Sequence, residues 1–228
     1  MSQNTQRDIR TLAYVLRRTN YGESDRILNI ITPSGKMSVI AKGVRKEKSK
    51  LVGGVEIFTL TELNIHFGKR EMGLVTSAKM VEYYSNLLTD LGRMELASLI
   101  LRKISTASEH TDNEEFFKIT DSCLRALNRR ESCELVECWF WLNYAKALGE
   151  QINLYRDANG EKLLPEERYY WNISEAALVK NENGDVDTNT IKIMRLMVSA
   201  DIGVICRIVD VEQHLPTILR IARAINKI

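Results

Sequence analysis

No apolar run in the sequence approaches the roughly 18 residues that a helix needs to cross a bilayer, so a spanning helix is excluded. The opening residues, Met1 to Arg10, are polar and charged and hold no apolar stretch of the kind that directs export. They read as a short flexible tail. Cysteine is equally sparse. Cys123, Cys133, Cys138 and Cys206 have neither the density nor the spacing of a disulfide framework, so reduced, buried thiols in a cytoplasmic protein are expected. Cys133 and Cys138 lie close together in a helical segment, but His66, His110 and His214 are far off in sequence and no third ligand is near. Neither a metal nor a cofactor is expected.

Catalytic signatures are missing as well. The sequence has no G-x-x-x-x-G-K-[ST] loop, no G-x-S-x-G elbow and no H-E-x-x-H helix. Glu23 and Asp25 form an acidic pair beside Arg26, which fits ion pairing or turn capping, and Asp185 and Asp187 sit in a turn. The expectation is a protein that is not an enzyme.

What is present is a charge asymmetry. The net charge of +2 conceals residues 1–80 at +7, with 14 Lys+Arg against 7 Asp+Glu, and residues 81–228 at −5. A basic portion joined to an acidic one points to a polyanion partner for the first and a different role for the second.

The basic portion reads as strands. Ala13–Arg18 is apolar and strand-prone, and Arg26–Thr32 and Met37–Ala41 flank the turn Pro33-Ser34-Gly35-Lys36, predicting a hairpin over residues 26–42. After Gly53-Gly54, the run Val55–Phe67 alternates, with Thr59, Thr61, Leu63, Ile65 and Phe67 on one face, and Gly73–Ala78 follows as a last strand. Five short strands with glycine-marked bends predict a small closed barrel over residues 1–80. From about Val81 the apolar spacing becomes helical. Thr111-Asp112-Asn113-Glu114 is a capping box, and helices are predicted over about 132–148, 188–199 and 211–225. The stretch at about 150–187 is irregular, so the second domain, residues 81–228, is mostly helical with an insert.

The densest local signal is Lys42-Gly43-Val44-Arg45-Lys46-Glu47-Lys48-Ser49-Lys50, five cations against one anion at the mouth of a strand. Arg17, Arg18, Arg26, Lys36, Lys69 and Arg70 add charge from neighbouring strands and turns. Mobile cations beside a curved sheet make a groove able to follow phosphates, and Tyr14, Tyr21, Phe58 and Phe67 are candidate stacking faces for unpaired bases. The other reading of these residues is a solvated loop and a set of core aromatics. In the helical part, Trp139-Phe140-Trp141 reads as core. An apolar groove edged by Arg102, Lys103, Arg129 and Arg130 is the alternative there, suited to a partner's peptide ending in a carboxylate.

The phrases Ala13-Tyr14-Val15-Leu16-Arg17-Arg18, Tyr21-Gly22-Glu23-Ser24-Asp25-Arg26, Thr32-Pro33-Ser34-Gly35-Lys36 and Ala41-Lys42-Gly43-Val44-Arg45-Lys46 occur in order between Ala13 and Phe67. Together they resemble the RecO family of recombinational-repair proteins. The resemblance implies an α+β chain with an N-terminal five-stranded OB-fold β-barrel followed by a mostly α-helical domain. It also implies single- and double-stranded DNA binding, strand annealing without catalytic turnover, and a nucleoid-associated bacterial protein. The implied partners are RecR, the acidic C-terminal tail of single-stranded DNA-binding protein and, through them, RecA, with no membrane. Many RecO proteins carry a four-cysteine zinc element after the central helices. The matching region here, from Tyr155 to Val179, has no cysteine, so a zinc-less insert held by Leu163, Leu164, Tyr169, Tyr170 and Trp171 is expected. Two rivals stay open: an adaptor that binds the single-stranded DNA-binding protein tail without touching DNA, and a hydrolase or nuclease with an unfamiliar site.

Overall fold

The computed structural model of the chain describes residues 7–68, 72–108 and 114–227. It divides into two compact units, Met1–Asn128 and Arg129–Ile228.

The first unit is organised by one strand much longer than the local pattern predicts. β1 (Arg7–Tyr21) is followed by β2 (Asp25–Thr32), β3 (Gly35–Ala41), β4 (Thr59–Phe67) and β5 (Gly73–Tyr83). The strands close into a barrel in the order β1-β2-β3-β5-β4. All neighbours are antiparallel except β3 and β5, which meet in parallel at Val39 and Gly73. This is the strand arrangement of an OB-fold. The hairpin expected over residues 26–42 is β2–β3.

β1 serves two neighbours in turn: Arg7–Tyr14 pair with β4, and Tyr14 onward pairs with β2. Between Val15 and Arg17 the register shifts by a bulge at Leu16. An inserted residue reverses which face the following side chains occupy. Before it, Ala13 and Val15 are buried in the barrel core with Leu28, Ile30, Val39, Leu63 and Ile65. After it, Arg18 lies in a row with Leu28 and Val39, whereas Arg17 aligns with Asn29 and Ser38 on the outside. Each aliphatic side chain fully buried in this core contributes about 1.5–3 kcal/mol. Closure also needs a residue without a side chain, because a Cβ on Gly73 would sit 2.5 Å from Ile65 Cγ2.

α1 (Leu91–Ala107) and α2 (Glu115–Asn128) belong to the barrel's unit. Both pack against β1, and α2 also reaches β2. α1 starts where the Asp90 carboxylate accepts the Arg93 N–H at 3.1 Å. α2 buries Phe116, Ile119, Cys123, Leu124 and Leu127 along one side. Thr111, Asp112 and Asn113 of the expected capping box lie outside the described residues. The change of hydrophobic period near Val81 falls inside β5, and a 3-10 turn, Ser85–Thr89, precedes α1.

The second unit centres on α3 (Cys133–Ala147), which buries Leu135, Val136, Cys138 and the aromatic run Trp139, Phe140 and Trp141. A helix apolar on nearly all sides needs cover all round. α4 (Thr188–Ser199) and α6 (Leu215–Ile225) supply cover, with the single turn α5 (Ile202–Ile205) between them. Within the insert, β6 (Tyr169–Asn172) and β7 (Ala177–Lys180) form a two-stranded sheet. Leu163, Tyr169 and Trp171 are buried there, but Leu164 and Tyr170 are exposed. Tyr170 differs from the expectation because successive strand residues face opposite ways. Asp187 caps α4 through the Thr190 N–H at 2.8 Å, and Asp185 pairs with Arg220 at 2.5 Å, so both acids have structural roles. Among the described residues, no helix is long and apolar enough to cross a membrane.

Candidate nucleic-acid interface

The chain leaves β3 at Ala41 and enters the segment that carries Lys42, Arg45, Lys46, Lys48 and Lys50, all exposed. The sequence led us to expect a mobile loop; the structure holds it by both ends of a short tether. Val44 is buried in the barrel core, 1% exposed. Beside it, Gly43 has φ 61°, a left-handed conformation that glycine adopts without strain, and its N–H donates to Asp25 Oδ1 at 2.7 Å. The Arg45 N–H donates to the Ser24 carbonyl at 2.9 Å, and its Nη1 donates to the Gly22 carbonyl at 3.2 Å. The β1–β2 turn therefore templates the loop. The Gly43 N–H foremost, then the Ser24 hydroxyl and the Lys42 and Lys46 ammonium groups, hold the Asp25 carboxyl below its ordinary range. Asp25 is thus a turn cap, one of the two roles its sequence position allowed.

Of the remaining cations, Arg17 is also exposed. It lies on the outer row with Asn29 and Ser38, where the Ser38 hydroxyl donates to Asn29 Oδ1 at 2.8 Å. Arg18 and Arg26 are less so. Their side chains are only 26% and 25% exposed, and both pair with Glu56. The bulge is the reason for Arg18, since it turns that side chain towards the row of Leu28 and Val39. Lys36, at the other end of β3, donates to the Ser105 carbonyl of α1 at 2.7 Å, a tether between helix and barrel. Lys69 and Arg70 lie outside the described residues.

The aromatic candidates separate more sharply. Tyr14 is 1% exposed, with its ring against Tyr84 and Phe117. Its hydroxyl donates to Asp121 Oδ1 at 2.6 Å, and because it has one proton it accepts from Tyr84 at 2.7 Å. Burial raises both phenols, that of Tyr84 to about 12. Arg125 completes the network, donating from Nε to Asp121 at 2.9 Å and pairing with Glu82. Phe58 is 7% exposed, and Phe67 packs half-buried on the barrel core. Tyr14 and Phe58 therefore offer no face to a base. Tyr21 does: it is 56% exposed and adjoins the turn that holds the basic loop. Sequence inspection had no means of finding Tyr84, Asp121 and Arg125, because they join Tyr14 only through long-range packing.

A paired experiment distinguishes the two tyrosines. Tyr14→Phe removes a buried hydrogen-bond relay and is expected to cost about 1–3 kcal/mol in urea unfolding while leaving DNA affinity unchanged. Tyr21→Ala should do the reverse, weakening single-strand binding by about 1–3 kcal/mol for the lost stacking without altering the unfolding midpoint. Equal loss of DNA affinity in both variants would refute this division.

Arg102 is exposed and Lys103 half-buried on α1, in the first unit, whereas Arg129 and Arg130 are exposed at the start of the second. Burial raises the Cys138 thiol, and burial, then Glu131, raises that of Cys206 to about 11, so neither is an activated nucleophile. Among the described residues, no group of three or more His, Cys, Asp or Glu side chains could hold a metal ion.

Comparison with known proteins divides the chain at the end of the barrel, ahead of α1. Residues 6–84 match the family model described as Recombination protein O N terminal, and residues 88–226 match Recombination protein O C terminal. The DNA repair protein RecO of Roseiflexus sp. is 35% identical over 150 residues, covering 65% of this chain and 53% of that protein. That of Dehalococcoides mccartyi is 29% identical over 209 residues, or 88% and 82% of the two chains. That of Desulfitobacterium hafniense is 34% identical over 162 residues, or 67% and 58%. The matched region thus spans about half of the Roseiflexus protein and about four fifths of the Dehalococcoides one. With both family models in sequence over the barrel and the helices that follow it, the chain belongs to the RecO family.

Proposed function

We propose that the chain is a DNA-binding mediator of homologous recombination and repair that anneals complementary strands without catalytic turnover. The observation that carries this reading is the exposed set Arg17, Lys42, Arg45, Lys46, Lys48 and Lys50, with the loop's start at Gly43 and Arg45 held by the β1–β2 turn. Such cations replace the counterions condensed on a phosphate backbone, and the gain is independent of base sequence. Contacts made chiefly to phosphates, with Tyr21 as the one exposed stacking candidate, leave most bases of a single strand able to pair. Charge neutralisation also lowers the repulsion between two approaching strands, which favours annealing. Duplex DNA offers the same phosphates and is bound by the same array.

Membership of the RecO family supports the partners RecR and the acidic C-terminal tail of single-stranded DNA-binding protein, with RecA loading as the outcome. Within the second unit, Arg129 and Arg130 are the exposed cations that would receive such a tail. The test of the DNA site is affinity for an oligonucleotide as a function of salt, read by fluorescence anisotropy. Six phosphate contacts predict a log–log slope of about −4 for a single strand and about −5 for a duplex. A slope near zero, or no binding by the isolated chain, would instead support an adaptor that reaches DNA only through a partner.

A further inference from the structure

β1 is paired on both edges only at Tyr14, just ahead of its bulge. From Arg7 to Ala13 its one strand neighbour is β4, and no other described strand runs along the opposite edge. There, backbone N–H and C=O groups of alternate residues face a groove of about 550 Å³ instead of a ladder. Ile9, Met37 and Phe67 give the groove an apolar floor, with Arg7, Thr32 and Ser34 also lining it. An unpaired strand edge beside apolar surface is a template for one more strand. It lies at the end of β1 remote from Tyr21 and the basic loop.

The side chains of this edge specify the strand it takes. We propose that the edge pairs with the same segment of a second copy, antiparallel about a two-fold axis at Ile9, to give a dimer with a sheet continuous across the interface. In this register Asp8 lies directly opposite Arg10 of the second copy, and Arg10 opposite its Asp8. Ile9 faces Ile9 above the apolar floor, and Arg7 faces Thr11. A shift of two residues in one direction sets Arg10 against Arg10, and in the other sets Asp8 against Asp8. Directly opposed like charges destabilise a ladder, so the charge pattern selects one register. Asp8 and Arg10 are reachable: their side chains are 84% and 71% exposed, although Asp8 meets His66 at 2.6 Å and Arg10 meets Glu62 at 2.7 Å. The contact is isologous and therefore closes at two copies. Each copy keeps its own basic loop clear of the contact, so one particle carries two cationic arrays.

Sedimentation equilibrium of the full chain over a concentration series tests the proposal, with circular dichroism confirming that each variant is folded. The wild type is expected to rise towards twice the monomer mass. Asp8→Arg alone sets arginine against arginine and Arg10→Asp alone sets aspartate against aspartate, and each should weaken association roughly tenfold. Mixing the two variants restores opposite charges at both positions and should recover a dimer, as should D8R/R10D in one chain. A wild type that stays monomeric throughout overturns the proposal. So do single variants that associate like wild type, or a mixture no tighter than either component, because the dimer would then use another face.

Discussion

Replacing Lys42, Arg45, Lys46 and Lys48 together by glutamate is expected to weaken oligonucleotide binding by about 10²–10³-fold or more near physiological salt. It should also reduce the magnitude of the log–log salt slope by about 3. Each phosphate contact contributes roughly 0.7–0.9 to that slope, so removing four contacts forfeits most of the counterion release available to the site. The variant is informative because it removes the Arg45 Nη1 bond to Gly22 but keeps the backbone and core part of the loop's tether. Val44 remains in the barrel core, and the Gly43 N–H still reaches Asp25. Fluorescence anisotropy across a salt series, with a thermal melt as control, gives both readouts. Wild-type affinity in this variant would remove the loop from the interface altogether.

The second large effect concerns stability. Trp141→Ala is expected to cost about 3–5 kcal/mol in urea unfolding. Trp141 is fully buried, with its ring 4.7 Å from that of Phe140 and edge-on to Tyr144 at 5.7 Å. Its indole N–H donates to Glu137 at 3.0 Å, and Arg223 of α6 meets the same carboxylate oxygen at 2.7 Å. Asn226 donates to the Trp141 carbonyl at 3.1 Å, tying the end of the chain to the same helix. Truncation therefore leaves a cavity where α3 and α6 meet. A loss below about 1 kcal/mol would show that the aromatic run is not the core of this unit.

Local chemistry made much of this fold legible in the sequence. Pro33, Ser34 and Gly35 marked the β2–β3 hairpin because turn residues act through their own backbone preferences. The helix expected over about 132–148 is α3, which the structure shows capped by the Ser132 side chain and followed by Gly149 with φ 80°. The candidate site was legible in composition but not in aim. A period-2 reading assigns Arg17 and Arg18 to opposite faces, yet it cannot say which faces the core once a bulge intervenes. Leu16 decided that, and nothing in its side chain announces it. Tyr14 was ambiguous in a different way. A strand tyrosine between alanine and valine is equally suited to stacking on a base or to burial, and the choice was made by Tyr84 and Asp121, distant in sequence. The extent of the first unit was hidden likewise, because α1 and α2 show helical periodicity without indicating which surface their apolar sides cover.

The link between Asp25 and Gly43 bears on how tightly so small a cationic surface would hold DNA in the proposed function. Confining the backbone of a loop residue costs about 1–2 kcal/mol in conformational entropy, and a loop ordered only by its ligand subtracts that from every binding event. Here the ordering belongs to folding, since a carboxylate in the β1–β2 turn and a valine in the barrel hold residues 43 and 44 before any phosphate arrives. Asp25 also draws on Lys42 and Lys46 in the absence of DNA, acting as an internal anion that an incoming phosphate supplements. Under the function proposed above, such an interface is preorganised for any nucleic-acid backbone and selective for none, which suits holding a strand and then releasing it to its complement.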